Sequence, residues 1–255
     1  MKLALKVDLL LILLFVTPFA LAQQRQTNRD LKQSFDRTYV KLARKYGFSI
    51  PRKLKFDKRM RGTPLPQEAL ELNLDRFFLA LEELTVDFVK RSGLNTVMIC
   101  QNLTYEGKRA GGMAKGNVIY LDAGFTPHVV YHELFHIFDR INDRKWNRLN
   151  PKNFVYTGSD FFDADLSRRD MKKLEANQGV QEIDLAFVSD YAKSFPREDR
   201  AETFAFMVCE GPAFLLRTNR SPHLKAKMDM IVKATATPGL LGKDYWNKKL
   251  FAAGQ

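Results

Sequence analysis

Residues 129–141 read Val-Val-Tyr-His-Glu-Leu-Phe-His-Ile-Phe-Asp-Arg-Ile, an apolar run interrupted by His132, Glu133 and His136. A helix that is apolar nearly all round belongs in a protein interior. The two histidines stand four residues apart, so both imidazoles share one helix face and can reach the same cation. Glu133 is placed to take a proton from a water polarised by that cation. The chain holds four histidines in all, so half of them fall in this one helix. Two imidazoles and a carboxylate buried without partners would cost several kcal/mol. A metal removes that cost, and the alternative, two partly buried histidines beside a surface glutamate, accounts poorly for the apolar surroundings.

Upstream of this helix, Asn117–Leu121 (NVIYL) and Thr96–Cys100 (TVMIC) have the composition of short strands. Between them, Gly107–Gly116 is expected to be a glycine-bearing loop. It is no phosphate-binding loop, because no Gly-Lys-Ser/Thr follows. Leu70, Leu74, Phe77, Phe78, Leu81, Leu84 and Phe88 predict one amphipathic helix over Pro66–Ser92, stopped by Gly93. Ile50–Pro66, with three prolines and six Lys or Arg, predicts an irregular basic connector, preceded by a helix carrying Phe35, Tyr39, Leu42 and Tyr46. Downstream, Trp146–Phe162 predicts an ordered loop built on aromatics, Arg168–Ala176 a helix, and Glu198–Phe214 a second apolar-rich helix. A further helix is expected over Leu224–Lys233.

The first 22 residues carry the pattern of a signal peptide. Lys2 and Lys6 precede the apolar run Leu9–Val16, and Ala20-Leu21-Ala22 supplies small residues for cleavage. The run is too short to span a bilayer core of about 30 Å, and Pro18 would interrupt it, so no stable membrane anchor is expected. The protein is therefore expected to be exported. An oxidising compartment permits a Cys100–Cys209 disulfide. Two buried free thiols are the alternative, and spacing does not choose between them.

The 255 residues are 45% hydrophobic and 27% charged, as in an ordinary globular domain, which excludes collagen-like, low-complexity and wholly disordered chains. The formal net charge is +12. That excess suits an acidic substrate or an anionic surface. The basic residues are scattered and no nucleic-acid-binding signature occurs, so nucleic acid is not the expected partner. No Ser-His-Asp order stands out, and the cysteines lack a Cys-x-x-Cys spacing.

A catalytic zinc site takes three protein ligands and leaves a position for water. No third histidine follows at a metzincin spacing, so a carboxylate is expected. Glu198 and Glu202 are again four apart. One can bind the metal while the other holds the far nitrogen of a ligand histidine, and the residues alone leave that choice open.

On these patches the chain resembles the gluzincin branch of zinc metallopeptidases, particularly the catalytic domain of anthrax lethal factor and related secreted bacterial peptidases. The resemblance rests on His132-Glu133-x-x-His136-x-x-Asp139, on Glu198-x-x-x-Glu202 followed by an apolar helix, and on Tyr191, seven residues before Glu198. It implies a zinc ion held by His132, His136 and Glu198, with Glu133 as general base and Tyr191 stabilising the oxyanion. Glu202 would stand behind the ligands, and Asp139 either there or in a surface salt bridge. It also implies that Asn117, Val118, Ile119, Tyr120 and Leu121 form an edge strand on which an extended peptide pairs, with an ordinary buried strand as the alternative. The Asn that often precedes the gluzincin glutamate is replaced by Pro196-Arg197. Trp146–Tyr156 is similar to a segment of bacterial chains described as zinc-binding metallopeptidases, where it has no defined chemical role.

The expected fold is α+β and zincin-like, a short mixed sheet packed on the buried motif helix and a second motif helix. The expected organisation is a signal peptide over 1–22, an N-terminal helix and connector over 23–66, and a catalytic domain over 67–255. The expected function is an exported peptidase, acting as a monomer with one zinc per chain on peptide or protein substrates. A hydrolase of a non-peptide amide of cell-wall type, or a silent metal-binding module, is the alternative.

Overall fold

The computed structural model describes residues 33–51, 53–158 and 180–251. The expected signal peptide, most of the polar stretch after it and the expected Arg168–Ala176 helix lie outside the described residues. The chain divides into two units, Met1–Thr38 and Tyr39–Gln255. In the first, residues 33–35 are helical and a π-turn begins at Asp36. All that follows concerns the second.

Helix α1 (Lys41–Tyr46) stops at Gly47, whose φ of 83° is open to glycine at little cost. It is followed by the segment expected to be irregular, which contains strand β1 (Met60–Thr63). The single helix expected next is two, α2 (Gln67–Glu82) and α3 (Val86–Ser92). Thr85 makes the break. Its backbone is extended and its hydroxyl accepts the Phe88 N–H at 3.1 Å, so side-chain capping starts a new helix where periodicity alone suggests continuity.

The remaining strands are β2 (Thr96–Tyr105), β3 (Lys108–Arg109), β4 (Gly112–Lys115) and β5 (Val118–Asp122). Their order is β1-β2-β5-β4, with β3 paired to the end of β2. The sheet is mixed: β2 and β5 run parallel, while β4 and β5 form an antiparallel hairpin closed at Gly116-Asn117. Gly116 adopts a φ of 57° there, as such two-residue turns require. The stretch expected to be a loop thus supplies two strands. Asn117 lies in the turn, and Val118–Leu121 is an interior strand with partners on both sides, contrary to the expected edge strand. Among the described residues, the outermost strand beside the motif helix is β4.

Helix α4 (Pro127–Phe138) carries the histidine motif, starting at Pro127 after an extended Thr126. After a short helix α5 (Asp143–Asn147), the next helix among the described residues is α6 (Val180–Leu185), followed by a 3-10 turn over Tyr191–Lys193. Helix α7 (Pro196–Glu210) packs along α4, and α8 (Pro212–Thr218), α9 (Pro222–Thr235) and α10 (Lys243–Phe251) complete the unit. Phe135 of α4 stacks on Phe204 of α7 with centroids 4.6 Å apart, and Phe88 packs on Phe204 and on Phe138. Each such ring contributes about 1.5–3 kcal/mol through burial. These contacts fix how the two motif helices lie side by side. No helix among the described residues is long and apolar enough to cross a membrane.

Cys100 and Cys209 are both free thiols in this structure, the alternative to a disulfide between them. The Cys100 sulfur is enclosed in the sheet core, 3.7 Å from the Leu121 carbonyl and packed against Gly62. Cys209 sits exposed on the last turn of α7.

Candidate metal centre

Burial of the apolar face of α4 carries His132 and Glu133 inside with it, at 6% and 7% exposure, and leaves His136 half-buried. From α7, Glu198 Oε2 reaches both imidazoles, 3.1 Å from His132 Nε2 and 2.9 Å from His136 Nε2, while those nitrogens stand 2.9 Å apart. Ligands around a tetrahedral zinc at ~2.0–2.1 Å stand about 3.3 Å from one another. Three donor atoms drawn together from two helices fit that group in number, kind and spacing.

The second glutamate does a different job. Glu202 Oε1 takes His132 Nδ1 at 2.9 Å and His128 Nε2 at 2.8 Å, and its Oε2 accepts the Ser189 hydroxyl at 2.7 Å. His128, Glu202 and His132 therefore form a second cluster able to hold a metal. The two clusters share His132 through opposite nitrogens. A neutral imidazole has one lone pair, so they are alternatives rather than neighbours.

The Glu198 cluster opens onto a cleft of about 440 Å³ lined by Glu133, Tyr191, Arg197, Arg59 and strand β4. Neither His128 nor Glu202 lines it. Glu133 lies beside β4, where Gly112 is a steric necessity. A Cβ on residue 112 would stand 2.6 Å from Val129 Cγ1 and 2.9 Å from Glu133 Oε1. The Ala114 backbone also hydrogen-bonds the Glu133 carboxylate. Tyr191 lays its ring on His132, centroids 5.7 Å apart at 25°. Arg197, at the position where the family resemblance lacks its Asn, forms an ion pair with Glu198, Nε to Oε1 at 2.9 Å.

The charges are strongly coupled. Burial would push the His132 pKa down, but hydrogen bonds to Glu198 and Glu202 raise it to about 10. Burial opposes ionisation of Glu198 and Glu202 as well, yet their histidine partners hold both well below the usual carboxylate range. Glu133 has no such donor from a side chain, and burial pushes its carboxyl up against the pull of His132 and His136.

Of the two places open to Asp139, the structure gives it the salt bridge, a buried one with Arg200 of α7, Nε to Oδ2 at 2.6 Å. An arginine one turn inside the neighbouring helix offers a charge-assisted bond that no histidine matches. His223 meets the Leu149 carbonyl at 2.7 Å through Nδ1. Ser189 and Arg197 are not legible as site residues, because a serine and an arginine carry no spacing signal, whereas His128 stands four residues before His132 on the same side of the helix.

Behind Glu198, the next residue, Asp199, is fully buried. Its Oδ2 accepts Trp146 Nε1 at 2.8 Å, Tyr156 OH at 2.7 Å and Lys227 Nζ at 2.7 Å. Burial pushes the Asp199 carboxyl up and the Lys227 ammonium down, each opposed by the other. The Trp146–Tyr156 segment, without an assigned role from sequence, supplies two of these donors.

No protein-family model and no curated protein matches the chain. A crystal structure from Bacteroides caccae ATCC 43185, described provisionally as a zinc-binding metallo-peptidase, shares the fold. It is 16% identical, covers 87% of this chain and 90% of its own, and superposes with a TM-score of 0.56. The chain thus has an α+β fold with a mixed sheet, like that protein, and two His/Glu clusters fit to bind a metal.

Proposed function

We propose that this chain is a zinc-dependent peptidase whose metal is held by His132 Nε2, His136 Nε2 and Glu198 Oε2, one ion per chain. The observation that carries the reading is the meeting of those three atoms at the floor of an open cleft, with Glu133 beside them. Zinc bound there supplies Lewis acidity, lowering the pKa of a water and polarising a carbonyl.

Glu133, kept less acidic by burial, takes the proton from the attacking water and delivers it to the leaving amine. Its place at the cleft favours an enzyme over a silent metal-binding module, which has no use for a base. Tyr191 lines the same cleft and stabilises the developing oxyanion. Glu202 fixes His132 by taking its Nδ1–H. Strand β4 replaces 117–121 as the strand that receives an extended peptide, because it lines the cleft beside Glu133. Arg59, Lys115 and Arg197 also line that cleft and favour acidic side chains there. The leader pattern in the first 22 residues supports export.

Purified protein should contain about one zinc per chain and cleave casein or a peptide library, and Glu133→Gln should retain the zinc and lose cleavage. Bound zinc with no cleavage of any peptide would overturn the peptidase reading.

A further inference from the structure

We infer that the buried Asp199–Lys227 pair, with Trp146 and Tyr156, is a positioning device for the metal ligand Glu198, an inference that rests on the zinc-site reading above. Asp199 follows Glu198 in the first turns of α7, so the two side chains leave the helix about 100° apart, one toward the histidines and one away from them. Trp146 Nε1, Tyr156 OH and Lys227 Nζ all converge on Asp199 Oδ2. These donors come from two parts of the chain far apart in sequence, the Trp146–Tyr156 segment and α9, and together they fix the rotation of α7 about its own axis. The carboxylate of a helical glutamate lies far enough from that axis that a turn of ~10° displaces it by about 1 Å. A binding constellation tolerates about 0.5 Å. Apolar contacts alone leave such a rotation softer, because packing is less directional than three hydrogen bonds on one oxygen.

Lys227 extends the device to the rest of the site. It is fully buried on α9, and its ammonium also donates to the Ala186 carbonyl at 2.9 Å and lies 3.5 Å from the Phe187 ring centroid. A carboxylate, a carbonyl and an aromatic ring thereby hold the ammonium. The segment it grips leads directly to Ser189, which holds Glu202, and to Tyr191, which lies on His132. One buried ammonium therefore ties the third ligand and the support of the first ligand to a single point. Asp199 and Lys227 do not line the cleft, so they are positioning residues rather than catalytic ones.

The test compares zinc affinity, measured by competition with a chelating dye, with the thermal unfolding of the metal-free protein. In the double variant Asp199→Asn with Lys227→Met, no unpaired charge is left inside. Its zinc affinity should fall ~10-fold or more while circular dichroism shows the native fold. Should that variant not fold, Tyr156→Phe, which removes one donor and no charge, decides by the same affinity criterion. A smaller loss of affinity in a folded variant, even with lowered thermal stability, overturns the positioning role and leaves a purely structural pair. Wild-type protein that binds no zinc overturns the site reading itself, a result distinguishable from the other because it appears before any substitution.

Discussion

Glu202 Oε1 lies 2.9 Å from His132 Nδ1, and that bond decides which nitrogen of His132 remains to meet a metal. With the proton on Nδ1, the lone pair is on Nε2, facing Glu198 and His136. The two glutamates of α7 are thereby different in kind, although four residues apart on one helix.

Substitution should separate them. Glu198→Ala should abolish stoichiometric zinc binding, whereas Glu202→Gln should weaken it ~10–100-fold and leave stoichiometry intact at saturation. Dye competition and metal analysis read both quantities. The reverse ranking would assign the metal to His128, His132 and Glu202.

Glu133→Gln keeps the volume and removes the base. Peptide cleavage should fall at least ~10²–10⁴-fold, with zinc content unchanged. Steady-state assays on a cleaved peptide measure the loss, and a variant retaining wild-type turnover would remove Glu133 from the mechanism.

Gly112 sets how closely β4 approaches α4. In Gly112→Ala the new methyl meets Val129 Cγ1 and Glu133, so strand and base must separate. Overpacking of this kind costs about 1–3 kcal/mol. Urea denaturation should show that loss together with reduced cleavage, while zinc affinity, set by other residues, should hold.

Metal-free stability should depend on pH in a defined sense. Glu198 and Glu202 have depressed pKa values in the fold, so their contribution is present above 4.5 and lost as pH falls. His132 is raised from 6.5 to about 10, so its contribution is complete below 6.5 and lost as pH rises toward 10. For these groups, metal-free protein is most stable between 4.5 and 6.5. Zinc takes neutral imidazole, so the gap in Tm between loaded and metal-free protein should widen above that window. Scanning calorimetry across pH checks it, and a gap independent of pH would contradict it.

Asp139 and Asp143 both pair with Arg200, but only Asp139 is buried. Asp139→Ala should cost up to about 3–5 kcal/mol, because the buried guanidinium loses its buried partner and keeps only the exposed Asp143. Asp143→Ala, at an exposed partner, should cost no more than about 1 kcal/mol. Denaturant midpoints distinguish them.

Much of the centre is legible along the chain because helical periodicity is local. His132, Glu133 and His136 share one turn and one face, and Glu198 with Glu202 repeats the device. The elements around them are less legible where short-range chemistry competes with pattern. Thr85 breaks an apparently continuous helix by capping it, and Gly112–Lys115, too short and glycine-bearing to announce a strand, becomes one by pairing with β5. Asp199 is written beside Glu198, yet its partners Trp146, Tyr156 and Lys227 are far away in sequence and meet it only in the folded chain.

The sequence by itself determined that two helices would each offer a pair of metal-capable side chains at one-turn spacing, because 3.6 residues per turn is a property of the backbone. Tertiary structure alone decided that Glu198 faces the imidazoles and Glu202 stands behind one of them. It also put β4 rather than β5 beside the cleft and left the cysteines as free thiols. Those choices depend on the rotation and separation of packed helices and on strand order, which non-local burial and hydrogen bonding fix and no local spacing encodes.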